Sequence, residues 1–365
     1  MATLTSTPSV ERTKGPNTLT AGQLPAWLPW VLLVLGLALA GTFFAILNFR
    51  GEPRDFNVAG TIFFGFLIFA IGLVVFSTIV ESRRRAVDRL ATVLVSFAFA
   101  VALIPLISLL YTVVVDGIAR FDVTFFTWTM RNVVGEGGGA LHAIWGTLLI
   151  TLAATIISVP IGLLTSIYLV EYGRGRLARA ITFFVDVMTG IPSIVAGLFI
   201  VALFTLLIGP GRYMGIMGAL ALTVLMIPVV VRSSEEMLRL VPNELREASY
   251  ALGVPKWLTI AKVVLPTAIA GITTGVMLSI SRVIGETAPL LLTAGFTTSL
   301  NTNLLDQPMM TLPVFVYTQF QNPGTNVDAA LARAWGAALT LILIVMALNL
   351  IARFVAKKFA PKFGR

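Results

Sequence analysis

Apolar residues along this chain gather into long runs separated by short polar breaks. The runs lie at about 28–48, 59–80, 90–114, 141–170, 180–208, 215–231, 266–293 and 332–355. A helix needs about 17–25 mainly apolar residues to cross a bilayer, so the pattern predicts an all-α polytopic membrane protein with about eight transmembrane helices. A membrane β-barrel would show alternating segments of about ten residues, and none is visible. Composition agrees: 57% of residues are hydrophobic and 12% charged, against about 25% charged in soluble domains. The mean hydropathy is +0.92.

The polar breaks carry a charge asymmetry. If "ESRRRAVDR" at 81–89 faces the cytoplasm, so do the N-terminal tail, 171–179, 232–265 and the C-terminal tail. Taking Arg353 with the C-terminal tail and Arg333 with the outer loop before it, those segments hold nineteen Lys and Arg and the opposite ones six, which leaves Arg282 inside a run. The positive-inside rule then predicts that both termini are cytoplasmic, in the cell (inner or plasma) membrane. The net charge of +9 is spread over these loops, which speaks for topology and against a nucleic-acid surface. Residues 1–27, rich in Thr, Ser, Pro and Gly, read as a disordered cytoplasmic tail. The run after them is long enough to span and is not read as a cleaved leader. With no cysteine and a single histidine, His142, thiolate metal sites and two-histidine zinc motifs are excluded. Metal-binding and catalytic residues are therefore both expected to be absent. Two long outer segments are expected, at about 115–140 and 294–331.

One polar break is long and patterned: "LREASYALGVPKWLTIAKVVLP", within 232–265 and its continuation to Pro266. Asn243 suits an N-cap, with Glu244 favourable at the positive helix end. Gly253 stands where a left-handed residue closes a helix. Pro255 suits the first turn of a second short helix, and Pro266 the start of the next span. The spacing predicts two short helices joined by a sharp turn. Tyr250, Leu252, Val254 and Trp257 would let such a knob fill a groove on a soluble partner, or rest as an amphipathic elbow among lipid headgroups.

Charges and breaks inside the apolar runs supply further candidates. Arg282 lies sixteen residues after Pro266, about 24 Å at helical rise, beyond snorkelling reach. Glu286, four residues on, would share its helical face and can pair with it. The pair either ties helices together or offers a transient counter-charge to a crossing anion, for which the guanidinium fork suits oxyanions. Arg232 and Glu235 form a second candidate pair, or an ordinary solvated helix end. Gly190 and Pro192 interrupt the run 180–208 and predict a kink or break there. Gly271, Gly275 and Ser279 form a small-residue stripe suited to close helix contact.

Glu247, Ala248, Ser249, Gly253, Val263, Leu265 and Pro266 resemble the coupling motif of ABC-transporter permeases, which reads E-A-A, three residues, G, nine residues, then I-x-L-P. Ser249 and Val263 depart from it. The runs "GIPSIVAGLF", "VRSSEEMLRLVPNELREASYALG" and "GETAPLLLTA" resemble the phosphate-specific permeases, PstA type, over about 140–355. The resemblance implies a six-helix type I permease core plus an N-terminal two-helix hairpin, with N-terminal transmembrane helices at 28–114 and the permease domain at 140–356. It implies docking of the 232–265 loop on a soluble ATPase dimer (PstB type), with ATP and Mg bound there and no cofactor on this chain. It also implies a second permease subunit (PstC type), an extracytoplasmic phosphate-binding protein (PstS type) and membrane lipid as partners. Arg232, Glu235, Arg282 and Glu286 become the expected pathway charges. The chain contains no G-x-x-x-x-G-K-[ST] motif, so hydrolysis belongs to another polypeptide. Another oxyanion, such as phosphonate, sulfate or molybdate, is the alternative substrate. An intramembrane enzyme or a plain channel is the alternative outside this class.

Overall fold

The computed structural model describes residues 24–50 and 56–359; residues 1–23 of the expected tail lie outside these. Every regular element among the described residues is helical. Among the described residues, seven helices are long and apolar enough to cross a membrane, or eight if one bent pair counts as a single span.

The chain forms two compact units, meeting in sequence at Ser108 and Leu109. The first holds α1 (Leu28–Arg50), α2 (Val58–Val80) and most of α3 (Arg83–Ile118). A Cβ on Gly36 would stand 2.5 Å from the Gly65 carbonyl oxygen, so α1 and α2 meet backbone to backbone, as small residues allow in a membrane. Asn57 caps α2 by accepting from the Gly60 amide at 2.8 Å. Helix α3 starts seven residues ahead of the apolar run, because nothing between Ser82 and Leu90 breaks a helix.

The second unit is built around α5 (Leu141–Ile167, prolonged by a π-helical turn over Tyr168–Tyr172) and α8 (Gly215–Arg239). Val230 fills the space a side chain on Gly162 would need. Ile150, Leu222, Met226, Leu290, Met309 and Phe315 form the shared core. Between them run α6 (Arg176–Thr189) and α7 (Ser193–Ile208). The expected single span over 180–208 is not one rod: α6 and α7 meet at 109°. Pro192 has no amide hydrogen to continue the ladder and occupies the N-cap of α7. Only Val185 of α6 is fully buried, beside Leu169 and Val231.

After α8 come α9 (Asn243–Ala251) and α10 (Lys256–Thr259), then a π-helical turn over Ile260–Val264 leading into α11 (Leu265–Val283). The stripe on α11 packs as expected: Gly271 lies against Met237 and Gly275 against Ser233 of α8. The chain does not start a fresh span at Pro266, since helical turns continue from Lys256 to Val283. The π turn absorbs the missing proline amide. The expected span 266–293 ends early, at Val283. Residues 284–287 form a turn, and Pro289 sits in the first turn of α12 (Ala288–Thr293).

The expected outer segments are not free loops. In 115–140, α4 (Val123–Thr127) is capped by Asp122 and buries Phe125. In 294–331, Met309, Met310, Leu312, Val314 and Phe315 return into the core, the last three on α13 (Leu312–Gln321). The Leu312 amide donates to Thr147 Oγ1 at 2.7 Å. Gly146 makes this return possible, since a Cβ there would lie 1.9 Å from the Met310 carbonyl oxygen. Helix α14 (Val327–Phe359) closes the unit.

Candidate functional site: the coupling loop and the charges within the bundle

The patterned loop folds as a rigid two-helix knob. Gly253 takes φ +75°, and the Val254 amide reaches back to the Ser249 carbonyl at 3.2 Å. That six-residue closure is the Schellman arrangement. Pro242 occupies the N-cap of α9, and Asn243 Oδ1 accepts instead from Arg246 at 3.3 Å. Pro255 sits one residue ahead of α10, at its N-cap.

Six of the seven motif residues divide by exposure. Glu247, Ala248, Gly253 and Pro266 are exposed, Leu265 is half-buried and Ser249 is buried. Ser249 Oγ and Thr259 Oγ1 share a hydrogen bond at 2.8 Å, which ties α9 to α10. The hydroxyl that departs from the family pattern thus serves the interior of the knob. Leu252 and Trp257, 83% and 64% exposed, are its apolar outer surface.

Arg246 was absent from the expected set, as was its partner. Its guanidinium makes two bonds to Glu171 Oε1, at 2.9 and 3.0 Å. It also donates to the Leu238 and Val241 carbonyls at 3.0 and 2.6 Å. Lys256 bonds the Glu171 carbonyl and lies 4.7 Å from the Tyr172 ring centroid.

The expected pair Arg232 and Glu235 does form, at 2.9 Å, within a longer chain of charges. Arg232 also pairs with Asp186 on α6, and Glu235 with Arg239 at 2.7 Å. Two cations and two carboxylates balance, and the chain links α6 to α8 beside the break at Gly190 and Pro192. Asp186 was legible only as a carboxylate in an apolar run.

Arg282 and Glu286 do not pair. Arg282 closes the last turn of α11, whereas Glu286 lies beyond it, its amide turned back to the Val283 carbonyl at 3.1 Å. The shared helical face required an unbroken helix, and the turn at 284–287 removes it. Neither residue joins an ion pair among the described residues. Depth follows from the contact of Gly275 with Ser233. Seven residues on along α11, and seven back along antiparallel α8, Arg282 stands level with Met226 near the middle of α8. It is exposed there.

A bundle whose longest helices are long and apolar enough to cross a membrane, bearing an ordered two-helix knob after α8, defines the class of an integral-membrane protein. The comparisons place it further. The family described as "Binding-protein-dependent transport system inner membrane component" matches residues 158–365, and the chain belongs to that family. The phosphate transport system permease protein PstA 1 of Mycobacterium tuberculosis strain H37Rv is 49% identical over 284 residues, covering 76% of this chain and 90% of that protein. The corresponding PstA of Yersinia pestis is 38% identical over 290 residues, covering 77% and 96%. Among solved structures, a chain of a bacterial alginate ABC transporter, in complex with alginate pentasaccharide-bound periplasmic protein, aligns with TM-score 0.53. It shares 15% identity, and the match covers 74% of this chain and 96% of that one. A chain of the inward-facing MetNI methionine ABC transporter aligns with TM-score 0.50 at 19% identity, over 60% and 96%. At such identities these two speak for the fold alone: the bundle is that of ABC permeases.

Proposed function

We propose that the chain is the permease subunit of an ATP-driven importer of inorganic phosphate, with the permease core over 140–356. The observation that carries the transport reading is the rigid knob, which holds Leu252 and Trp257 outward on a closed turn. The relatives named as phosphate permeases select the substrate. The knob docks on a soluble ATPase dimer of the PstB type, which binds ATP and Mg; this chain binds neither. A PstC-type subunit completes the pathway, and a PstS-type binding protein delivers phosphate from outside. The chain lies in the cell membrane with both termini in the cytoplasm, as the basic asymmetry supports.

Arg282 is the pathway residue the geometry favours most. An unpaired guanidinium exposed at mid-bundle is costly against lipid and belongs beside an aqueous path or a partner subunit. Glu286 follows it in the turn. The chain Asp186–Arg232–Glu235–Arg239 stands about 9 Å nearer the knob, taking six residues at helical rise, and offers the anion a neutralised stop. The test is uptake of labelled phosphate into proteoliposomes holding this chain and its three protein partners, with ATP inside and competing sulfate, phosphonate or molybdate outside. ATP-dependent uptake that excess phosphate alone suppresses supports the reading. Suppression by another oxyanion at lower concentration transfers the assignment to that anion. Absence of any ATP dependence removes the transporter reading.

A further inference from the structure

The backbone connects the knob to two long helices only: α8 runs into α9, and α10 runs into α11. Glu171, in the π turn that prolongs α5, lies seventy-five residues before Arg246 along the chain, yet both halves of the knob are fastened to it. Arg246 of α9 grips the Glu171 carboxylate, and Lys256 of α10 grips the Glu171 carbonyl oxygen. The ion pair is withdrawn from solvent, with the Arg246 and Glu171 side chains 12% and 5% exposed. Exposed pairs hold geometry weakly, whereas a desolvated pair, here with two guanidinium nitrogens on one carboxylate oxygen and further hydrogen bonds, resists separation.

Two features show that this contact serves position and not helix stability alone. A carboxylate at the end of α5 opposes the helix dipole, so Glu171 gains nothing from its own helix there. Two further Arg246 bonds run to the Leu238 and Val241 carbonyls, at and just past the end of α8. One guanidinium therefore clasps three segments: the end of α5, the end of α8 and the knob. The joint between α10 and α11 is a π turn followed by Pro266, a place where a helix bends readily. A push on the knob that reached the bundle only through that joint would be partly spent in bending it.

We propose that Arg246, through Glu171, is the positioning residue that locks the knob to α5, so that knob displacement moves α5 and α8 as one body. This rests on the coupling role proposed above for the loop. In the complete transporter reconstituted in liposomes, Glu171→Gln is the cleanest variant. It removes the charge, keeps the shape and leaves the carbonyl bonds of Arg246 in place. Two readouts separate the possibilities: ATP hydrolysed per phosphate imported, and disulfide cross-linking of Leu252→Cys, in each background, to cysteines introduced on the ATPase surface.

The expected result is an unchanged cross-link with a rise of about tenfold in ATP per phosphate, the range of ordinary coupling factors. Arg246→Ala should raise the ratio at least as far, and Arg246→Lys, which keeps the charge without the fork, should fall between it and the native chain. A native ratio in assembled Glu171→Gln transporter would overturn the latch while leaving the docked knob intact. Absence of the cross-link in the otherwise native transporter would instead overturn the docking reading on which the latch depends.

Discussion

Arg282 is the residue on which the transport reading can be tested most sharply. Two unit charges about 4 Å apart interact by roughly 4 kcal/mol at an effective dielectric of 20. Losing the cation beside a moving phosphate should therefore slow transport by about 100-fold or more, at 1.36 kcal/mol per decade. We expect Arg282→Gln to lose uptake to that extent while the complex still co-purifies with its ATPase, and Arg282→Lys to retain part of it. Because Glu286 does not pair with Arg282, adding Glu286→Gln should restore nothing. Near-native uptake by the assembled double variant would take Arg282 out of the pathway. The charge itself was legible in the sequence, as was its depth within an apolar segment. Its lack of a partner was not, since the spacing of four carries meaning only on an unbroken helix. The pair Arg246 and Glu171 was illegible for a different reason: no periodicity links residues seventy-five positions apart.

At the scale of elements, the turns decide what the helices can do. Gly253 combines φ +75° with open space around its missing side chain. Backbone conformation, and not crowding, therefore sets what can replace it. Asn tolerates the left-handed region and β-branched residues do not. Gly253→Asn should transport like the native chain, whereas Gly253→Val should reshape the knob and reduce uptake several-fold, with a strain of about 1–3 kcal/mol at that turn. Equal loss in both variants would show that the turn is not what matters.

The corner between α2 and α3 offers a pH test in the first unit. Burial pushes the Glu81 carboxyl up, but bonds from Arg89, the Leu24 amide and Ser77 outweigh it and hold its pKa at about 2, from a usual 4.5. A depressed carboxylate contributes stability above its unfolded pKa and loses it as pH falls through the folded one. Hydrogen-exchange protection of the Leu24 amide, which donates to Glu81 at 2.8 Å, should hold down to about pH 4.5 and decline toward pH 2. Glu81→Gln should flatten that profile, and an unchanged profile would discount the corner.

Gly253 and Pro192 mark breaks by chemistry that acts within a few residues, and both breaks stand where they were expected. The turn at 284–287 passed unread because Leu290, Leu291 and Leu292 continue the apolar run beyond Gly285 and Pro289. Hydropathy alone cannot separate a long helix from two short ones.

Across the whole molecule, the helical membrane class was plain from run length, because a bilayer requires every backbone group to be bonded, and runs this long fit helices, which bond within their own segment, and not the short strands of a barrel. The return of Met309–Phe315 into the core was not, since a short apolar stretch between polar ones reads equally as a loop. The bent pair α6–α7 bears directly on topology. If α7 crosses the membrane, the chain has eight spans and both ends lie on one side; if the pair only dips in, the number is seven and they lie on opposite sides. The charge asymmetry favours crossing. Arg174 stands just before α6 and Arg176 and Arg179 in its first turn, whereas Arg212 is the one basic residue between α7 and α8. The native chain has no cysteine, so single introduced cysteines report their side without background. In intact cells, Arg212→Cys and Thr325→Cys should react with an impermeant thiol reagent, whereas Arg179→Cys and Leu252→Cys should react only after the membrane is opened. All four positions are exposed, which makes silence a matter of side and not of burial. Labelling of Arg179→Cys and Arg212→Cys from the same side would make α6–α7 a re-entrant hairpin and place the two termini across the membrane from each other.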